Sequence, residues 1–483
     1  MTHNAPPAAA LLGDKVFTDQ DQRNFATASR DCNPMHVDAV AARRLLSGRQ
    51  VVHGIHTLIH ALNLWSRLGP VGRLRVACNF ANPVNVGDRV VFSQLDEDAG
   101  RTRIIAAVDG LACTEVFIEP LPATDAASPT PRGSAPGQPT RRIGELAAPL
   151  DEASGSQVGV PIELEAWTDS LPTTFAQAAA LLGRDGLSAL ARLSYFVGMV
   201  CPGLHSVFSS VQFTTEPAAG DGLRFDVRKY DPRFRLFTVA FDGALRGELR
   251  AFVRPPPQLQ PSAREVARHL DGREFTGTRS LVVGGSRGLG ETTAKVIAAG
   301  GGDVVVSYAL GREDARAVAA DINANGRGRC DIAHLDLSRA FEGAPGVDPV
   351  RLDAVYFFAT PRIYARRNEL FDRAAFDAFV GFYLQRFYEL CRWLERVERA
   401  KPLKVYLPST VFITARPKGM TEYAMVKAAA EVLAEDLNRS LHNVTVVHSR
   451  LPRLATDQTA SILNVSVASN LDAMLAVVRQ MAG

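Results

Sequence analysis

A short loop near the start of the chain carries the residue types that acid–base chemistry needs. The run DCNPMH spans residues 31–36, so that Asp31 and His36 stand at its two ends. Because the proline bends this loop, a carboxylate and an imidazole at this spacing can converge on one water or one substrate proton. General acid–base addition or removal of water is chemistry of this kind.

A second motif, Val52-His53-Gly54, opens an apolar stretch that predicts a helix over residues 52–68. A glycine here lets a substrate carbonyl approach the helix N-terminus, where free N–H groups stabilise a developing enolate oxygen. The alternative is structural, with Asp31 as a helix cap and His36 as an exposed side chain. Four fixed residues at the spacing of the first motif arise by chance in only about three of a thousand chains of this length.

These motifs resemble those of the MaoC-like, (R)-specific enoyl-thioester hydratases. In that family an Asp-x-Asn-Pro-x-His loop precedes a central helix headed by His-Gly in a hot-dog fold, and the likeness spans nearly all of residues 14–122. The resemblance implies that Asp31 and His36 are the catalytic pair. It also implies that Asn33 supports the loop and that the Gly54 amide binds the thioester oxygen.

A glycine-rich turn in the last third of the chain could hold a phosphate. It lies between an apolar run ending at Val283 and a helical stretch over 291–299. Such a strand-to-helix turn lets the backbone approach a pyrophosphate and aims the helix N-terminus at it, although a tight structural turn needs glycines too. The candidate cofactor-binding residues of the turn are Gly284, Ser286, Arg287, Gly288, Leu289 and Gly290.

Residues beyond the turn indicate which nicotinamide cofactor fits. The acid that would bind a ribose 2′-hydroxyl is absent at the end of the second predicted strand, where Ser307 and Tyr308 stand. Arg287 and Arg312 could instead meet a 2′-phosphate, so NADPH is favoured over NADH. Asp336, after the third strand, either caps the adenine amino group or serves as an ordinary turn aspartate.

Ser409, Tyr423 and Lys427 form a third candidate set. Tyr423 and Lys427 lie one helical turn apart on the same face of a predicted helix, and Ser409 ends the strand before it. About 0.13 matches to a lone Tyr-x-x-x-Lys are expected by chance in a chain of this composition. The prediction therefore depends on the combination of this motif with the glycine turn and Ser409. A tyrosine must have its pKa lowered from about 10 to act as an acid, which a lysine ammonium and an oxidised nicotinamide would do.

The glycine turn and the Ser-Tyr-Lys set together resemble the short-chain dehydrogenase/reductase family, and within it the 3-oxoacyl-thioester reductases. The resemblance implies that Tyr423 protonates the ketone, Ser409 hydrogen-bonds the carbonyl and Lys427 holds the nicotinamide ribose. The sequence departs from the family in several places, among them Arg453, which stands where the family has a glycine after proline. Residues 357–360 read FFAT where the family has Asn-Asn-Ala-Gly, and Tyr383 stands where the family has a helix asparagine.

The elements that must position these residues fall into three segments. Four strands over 74–119 follow the helix at 52–68, and the same order recurs as a helix over 187–200 before four strands over 207–253. The last segment alternates short apolar runs with helices, which is typical of a parallel sheet. The predicted divisions are a domain at 1–122, a linker at 123–156, a domain at 157–254, a linker at 255–274 and a domain at 275–483.

The fold predicted from this pattern is an α+β double hot-dog followed by an α/β Rossmann-type, doubly wound parallel sheet. The second segment lacks the Asp-x-Asn-Pro-x-His motif, so it is interpreted as a degenerate repeat that completes a pseudo-dimer. His205, in its most distinctive stretch, is interpreted as a structural turn histidine more readily than as a substrate contact.

Composition excludes several other classes of protein. The net charge is +3 and the basic residues are spread along the chain, which argues against nucleic acid as a partner. The six cysteines are far apart, so neither a disulfide framework nor a metal site is predicted. With no export or membrane signal expected, the sequence predicts a cytoplasmic protein.

The sequence therefore predicts a bifunctional enzyme of acyl thioesters. NADPH-dependent reduction of a 3-oxoacyl thioester gives the 3-hydroxyacyl thioester, which dehydration converts to the 2-enoyl thioester. The alternative keeps the dehydratase and makes the reductase-like domain an inactive, cofactor-binding or dimerising scaffold. The carrier is either acyl carrier protein or coenzyme A, and by family analogy the long apolar stretch 371–397 could join two copies of the chain.

Overall fold

The computed structural model describes residues 9–45, 48–66, 72–96, 100–121, 140–152, 155–167, 169–215, 222–363, 370–459 and 467–483. Within these ranges the chain divides into two compact units. The first unit ends at Pro256 and the second begins at Pro257. The boundary falls inside the predicted linker at 255–274.

The first unit is built on one continuous sheet of eleven strands. In chain order these are β1 (Ala10–Val16), β2 (Leu74–Phe80), β3 (Arg89–Asp96), β4 (Thr102–Val108), β5 (Leu111–Pro120), β6 (Arg141–Ile143), β7 (Pro161–Leu164), β8 (Ser206–Thr215), β9 (Leu223–Asp231), β10 (Leu236–Gly243) and β11 (Leu245–Val253). Their order across the sheet is β1-β3-β4-β5-β2-β8-β11-β10-β9-β7-β6. Antiparallel pairing of β2 with β8 joins the two predicted repeats, with Cys78 opposite Val211.

Two long helices pack against this sheet, one from each repeat. The helices of the first unit are α1 (Asp19–Ser29), α2 (Pro34–Val37), α3 (Ala39–Ala42), α4 (Gly54–Trp65), α5 (Leu171–Thr174) and α6 (Ala176–Tyr195), the last continued by a π-helical turn at Phe196–Val200. Nine of the twelve residues of α4 are buried, because it is apolar around most of its circumference. The predicted order of one helix and then four antiparallel strands is observed twice, as an α+β architecture requires.

The structure differs from the predicted linker at 123–156. Residues 122–139 lie outside the described residues, but Arg141–Ile143 forms β6 and pairs in parallel with β7. Ile143 is buried, and the Leu146 amide donates a hydrogen bond of 2.8 Å to the Tyr195 hydroxyl. Residues 140–152 therefore belong to the first unit, although a strand of three residues with one apolar side chain leaves almost no pattern in the sequence.

The second unit contains six parallel strands, β12 (Arg279–Val283), β13 (Asp303–Tyr308), β14 (Cys330–His334), β15 (Ala354–Phe357), β16 (Leu403–Thr410) and β17 (Val444–Leu451). Their order across the sheet is β14-β13-β12-β15-β16-β17. This is the 3-2-1-4-5-6 order of the doubly wound Rossmann fold, whose ligands bind at the carboxyl ends of the strands, where the order reverses. Here the reversal lies between β12 and β15, which confirms the predicted α/β class.

Helices cover both faces of this sheet. They are α7 (Ala263–Val266), α8 (Gly288–Ala299), α9 (Arg312–Asn325), α10 (Arg373–Val380), α11 (Phe387–Glu395), α12 (Phe412–Ala415), α13 (Thr421–Ser440) and α14 (Asn470–Ala482), with a π-helical turn at Gly381–Arg386 between α10 and α11. Ala263 and Val266 are fully buried, so the predicted linker at 255–274 is wrong in its later half. Among the described residues, no helix combines the length and apolar content needed to cross a membrane.

Candidate active sites

The first candidate site is built on the loop between α1 and α2. Arg30 ends α1 in the left-handed conformation, with φ of 60°, and turns the chain inward. Asp31 is only 2 % exposed, and Asn33 caps α2 by accepting a hydrogen bond from the Met35 amide. The cap and the proline that follows explain why this short run forms a tight, buried loop.

The Asp31 carboxylate is held by the second repeat. Ser194, on α6, donates a hydrogen bond of 2.7 Å to Asp31 Oδ2. Gly198, in the π-helical turn, packs so closely that a Cβ atom there would lie 2.2 Å from Asp31 Oδ1. Burial raises the pKa of Asp31, while the Ser194 hydrogen bond opposes this rise. Sequence analysis missed both residues, since neither belongs to a motif.

His36 is a neutral imidazole with one nitrogen already committed. Its Nδ1 lies 2.6 Å from the Val51 carbonyl oxygen, which can only accept, so Nδ1 carries the hydrogen and Nε2 carries the lone pair. Burial and the neighbouring His53 lower the pKa of His36 to about 3. His36 is therefore neutral at neutral pH, and its Nε2 lone pair is available to accept a hydrogen bond.

His53 is a third member of this site, which sequence analysis named only as part of the helix motif. Its ring stacks on that of His36 with centroids 3.8 Å apart. Its Nδ1 lies 2.9 Å from Gln22 Oε1, and its Nε2 lies 3.0 Å from the Asp31 carbonyl oxygen. His53 thus ties the Asp31 loop to the start of α4, and burial lowers its pKa to about 4.

The same three side chains could in principle hold a metal, because ligand atoms of Asp31, His36 and His53 lie within 4.8 Å of one another. The hydrogen bonds argue against that use. Nδ1 of His36 already donates to the Val51 carbonyl, and one nitrogen of the neutral His53 ring donates to one of the two oxygens beside it, Gln22 Oε1 or the Asp31 carbonyl oxygen. Acid–base chemistry fits the arrangement better.

Asn33 and Gly54 occupy supporting positions. The Asn33 amide nitrogen donates to the carbonyl oxygens of Gly198 at 2.8 Å and Gly203 at 3.1 Å, which fastens the loop to the second repeat. Gly54 is the first residue of α4, where amide groups lack intrahelical partners. A Cβ atom at Gly54 would lie 3.0 Å from the Phe80 ring, so a side chain there would crowd the helix terminus.

The second candidate site begins at the glycine turn between β12 and α8. Gly284 has φ of +77°, and a Cβ atom there would lie 2.7 Å from the Ala359 amide nitrogen. At Gly290 a Cβ atom would lie 2.4 Å from the Gly284 carbonyl oxygen. The Ser307 hydroxyl accepts a hydrogen bond of 3.0 Å from the Gly284 amide. The result is a bare backbone cradle at the carboxyl edge of the sheet, which fits a dinucleotide pyrophosphate.

The side chains predicted to contact the rest of the cofactor differ in their exposure and in their hydrogen-bond partners. Arg312 is exposed at the first residue of α9. Arg287 Nη1 lies 3.4 Å from Asp457 Oδ2, so part of its charge is already balanced. Asp336 accepts hydrogen bonds from the Ser338 amide at 2.9 Å and hydroxyl at 2.7 Å. Of the two interpretations left open by the sequence, the turn aspartate is the one that these contacts support.

Ser409 does not face Tyr423, which corrects the sequence prediction. Its hydroxyl donates to Glu431, which in turn forms an ion pair of 2.7 Å with Arg450. The next residue, Thr410, forms the hydrogen bond with the Tyr423 side chain instead. Successive side chains of a strand point to opposite faces, so only one of the two neighbouring hydroxyls can reach the tyrosine.

Lys427 lies one turn after Tyr423 on α13, as predicted, and is buried. Its ammonium donates a hydrogen bond of 2.7 Å to the Pro408 carbonyl and lies 3.6 Å above the centre of the Tyr383 ring. Burial lowers the pKa of Lys427 to about 7. Burial also raises the pKa of Tyr423, so the predicted acidification of this tyrosine is not achieved by Lys427 alone.

Tyr383 occupies the position where the sequence departs from the reductase pattern. It is 2 % exposed, and its hydroxyl is hydrogen-bonded to the hydroxyl of Thr360, within the other departing run. Thr360 and Tyr383, one from each region that departs from the reductase pattern, are therefore in direct contact. Together they place an aromatic ring directly beneath the Lys427 ammonium.

Comparison with known proteins assigns the first repeat. Residues 7–110 match the model of the MaoC like domain, a family with a hot-dog fold. No protein of curated function matches the chain by sequence.

Solved structures similar to the chain include a short-chain dehydrogenase from Burkholderia cenocepacia J2315 in complex with NADP, at 25% identity over 44% of this chain and 92% of that one, with a TM-score of 0.36. A 3-oxoacyl-(acyl-carrier-protein) reductase from Agrobacterium tumefaciens C58 with NADP bound shares 18% identity over 43% and 88%, with a TM-score of 0.37. FolM alternative dihydrofolate reductase 1 from Brucella suis, in complex with NADP, shares 18% identity over 42% and 87%, also with a TM-score of 0.37.

Proposed function

We propose that the chain is a bifunctional enzyme of acyl thioesters, with a hydratase or dehydratase site in its first unit and an NADPH-dependent 3-oxoacyl-thioester reductase site in its second. The observation that carries the first half is the convergence of Asp31 with a neutral His36 in a buried loop of a MaoC-like domain. The second half is supported by Tyr423 and Lys427 at the carboxyl edge of a sheet with Rossmann strand order.

The proposed first unit is a double hot-dog in which the second repeat supplies contacts and the first supplies the acid–base pair. Hydration requires that one group take a proton from water while a proton reaches C2 of the enoyl thioester. The Nε2 lone pair of His36 can accept such a proton, and Asp31 is the carboxyl group beside it. The Gly54 amide, at the start of α4, is the proposed donor to the thioester oxygen, where negative charge develops.

In the proposed second site, NADPH would supply a hydride to C3 of the 3-oxoacyl group. The backbone of the Gly284–Gly290 turn would hold its pyrophosphate, and Arg312 is placed to meet a 2′-phosphate. Tyr423 would give its proton to the ketone oxygen, and Thr410 would orient the Tyr423 hydroxyl. Lys427 would hold the ribose and its positive charge would favour the tyrosinate that remains.

Reduction followed by dehydration makes the two sites consecutive. The 3-hydroxyacyl thioester formed by the second unit is what the first unit would dehydrate to a 2-enoyl thioester. The acyl group would be carried by acyl carrier protein or coenzyme A, as the sequence resemblance implies. The cytoplasmic location expected from the sequence remains a prediction.

One experiment tests both halves of the proposal. The purified chain is supplied with acetoacetyl-coenzyme A and NADPH, and separately with crotonyl-coenzyme A. NADPH oxidation that a Tyr423→Phe variant abolishes, together with hydration that an Asp31→Asn variant abolishes, is the expected result. Each variant serves as the control for the other activity, because the two residues lie in different units.

A second function is favoured by the contacts of Lys427 and Ser409. Lys427 lies over the Tyr383 ring and Ser409 is bound to Glu431, so the second unit could bind NADPH without reducing a thioester. In that case it would serve as a cofactor-binding or dimerising scaffold for the hydratase. Saturable NADPH binding without oxidation by any 3-oxoacyl thioester, alongside intact hydration of crotonyl-coenzyme A, would support the scaffold and exclude the reductase.

A further inference from the structure

A short segment crosses the carboxyl edge of the parallel sheet where the strand order reverses. Residues 454–459, which we call the strap, come shortly after β17. A Cβ atom at Gly288, in the glycine turn after β12, would lie 3.7 Å from Thr456 Cγ2 of the strap. The Gln458 side chain accepts a hydrogen bond of 2.9 Å from the Ile363 amide, in the segment after β15. The strap therefore connects the two sides of the crevice in which a doubly wound sheet binds its ligand.

The strap presents a buried carboxylate to the glycine turn. Asp457 is 6 % exposed, and its Oδ2 lies 3.4 Å from Nη1 of Arg287, the N-cap residue of α8. Its Oδ1 accepts a hydrogen bond of 2.8 Å from the Gln258 amide. A helix N-terminus with an arginine beside it is the environment that a phosphate favours. The charge of Asp457 and that of a phosphate bound at this turn would therefore lie against the same guanidinium.

The strap is fastened on both sides of Asp457, so that moving this carboxylate away would break other contacts. Before it, the Asn470 side chain donates a hydrogen bond of 2.6 Å to the Ala455 carbonyl oxygen. After it, Arg453 Nη2 donates a hydrogen bond of 2.7 Å to the Thr459 carbonyl oxygen. Because Asp457 is buried, water and salt also screen its charge less than they would screen that of an exposed acid.

We propose that Asp457 opposes the binding of a cofactor phosphate at Arg287, and so sets how tightly the second unit holds its nicotinamide cofactor. The inference rests on the proposed reductase function and names a residue that tunes its cofactor site. A carboxylate and a phosphate accept hydrogen bonds from the same guanidinium, but two anions placed side by side repel each other. The phosphate is either the pyrophosphate that NADPH and NADH share or the 2′-phosphate of NADPH.

Cofactor binding without turnover tests this role. Binding of NADPH and of NADH is followed by the fluorescence of the reduced nicotinamide, with the full chain and with an Asp457→Asn variant. Asparagine keeps an oxygen that can accept from the Gln258 amide, so the substitution removes the charge and little else. Asp436→Asn is the matched control, because Asp436 is an exposed acid of the same unit that also pairs with an arginine, Arg439.

We expect Asp457→Asn to bind NADPH about tenfold more tightly than the unaltered chain does, and Asp436→Asn to bind it as the unaltered chain does. An equal gain for NADH assigns the opposition to the pyrophosphate, whereas a gain confined to NADPH assigns it to the 2′-phosphate. Asp457→Ser also removes the charge and keeps an acceptor, so it should show the same gain. A folding defect in one of the two Asp457 variants therefore does not decide the result.

The proposal is overturned if Asp457→Asn keeps the native circular dichroism spectrum but binds both cofactors no more tightly than the unaltered chain does. That result would leave Asp457 a structural contact of the strap. Equal gains in Asp457→Asn and Asp436→Asn would overturn it too, since they would reflect only the net charge of the chain. If no form of the chain binds either cofactor, the proposal and the reductase half of the proposed function fail together. A gain in Asp457→Asn without reduction of any 3-oxoacyl thioester would support the proposal and exclude the reductase.

Discussion

The hydroxyl of Ser194 donates a hydrogen bond of 2.7 Å to the carboxylate of Asp31, across 163 positions of the chain. Ser194 lies on the long helix of the second repeat, and Asp31 lies in the loop motif of the first. The second repeat lacks that motif, yet it holds the carboxylate in place and packs Gly198 against it. The second repeat is thus part of the candidate site as well as a structural partner for the first.

Replacing Ser194 by alanine should lower kcat for crotonyl-thioester hydration by about tenfold, with little change in KM, because the lost hydrogen bond goes to a charged group. That hydrogen bond lowers the pKa of Asp31. Its removal should therefore move the acid limb of the rate profile to higher pH. Ser188→Ala is the control, since Ser188 lies on the same helix as Ser194 but its hydroxyl donates to Asp169. Loss of activity with an unchanged pH profile would contradict this role.

Asp31→Asn should abolish hydration and at the same time stabilise the first unit. Burial raises the pKa of Asp31, so the folded state binds this proton more tightly than the unfolded state does. The resulting destabilisation is absent below the ordinary pKa of 3.8 and is complete once pH has risen above the folded pKa.

The variant should therefore have a higher free energy of unfolding than the unaltered chain at pH 7, and the two free energies should be equal near pH 3. Urea unfolding in a Trp393→Phe background measures this, because the remaining tryptophans, Trp65 and Trp167, both lie in the first unit. A less stable Asn variant at pH 7 would show that the carboxylate is stabilised by its surroundings.

Thr410→Ala should reduce ketoreduction by about a hundredfold, since Thr410 is the hydroxyl bound to Tyr423. Ser409→Ala should retain most of the activity, because the Ser409 hydroxyl donates its hydrogen bond to Glu431 and not to Tyr423. Thr410→Ser, which keeps a hydroxyl, is the rescue variant. Steady-state NADPH oxidation with acetoacetyl-coenzyme A distinguishes them, and the reverse ranking of the two alanine variants would restore Ser409 to the role that the sequence suggested.

The reductase rate should fall as pH rises through about 7, because burial lowers the pKa of Lys427 to about 7 and its charge is then lost. A Lys427→Arg variant keeps its charge across this range and should lack the descending limb. In the unfolded state Lys427 keeps its proton up to the ordinary pKa of 10.5, whereas in the folded state it loses the proton near pH 7. The free energy of unfolding of the unaltered chain should therefore rise relative to that of Lys427→Met between pH 7 and 10.5. If the reductase rate of Lys427→Arg still falls as pH rises through 7, a group other than Lys427 causes the fall.

Several features of the molecule could be predicted from residues close together in the chain. The alternation of apolar residues predicted two runs of four strands to within a residue or two, and the rhythm of strands and helices predicted the parallel sheet. The motif residues Asp31 and His36 are brought together because four residues in a capped, proline-bent loop allow little else. The glycine turn likewise depends on local backbone conformation, as the positive φ of Gly284 shows.

Other features depended on which face a side chain presents and on which distant segment meets it. Ser409 and Thr410 are equivalent as sequence, and only the pleat of β16 decides which hydroxyl reaches Tyr423. In the sequence, Tyr383 and Thr360 are two separate departures from the reductase pattern, and only the tertiary fold brings their hydroxyls into a hydrogen bond.

The sequence by itself determined the α+β and α/β classes of the two units and the motifs that carry the candidate site residues, because periodicity and short motifs are local properties of the chain. Only the tertiary structure decided that Ser194 would hold Asp31 and that the Lys427 ammonium would lie over the Tyr383 ring. These contacts join residues far apart in the chain, and their energies come from burial and hydrogen bonding that exist only after the segments have packed together.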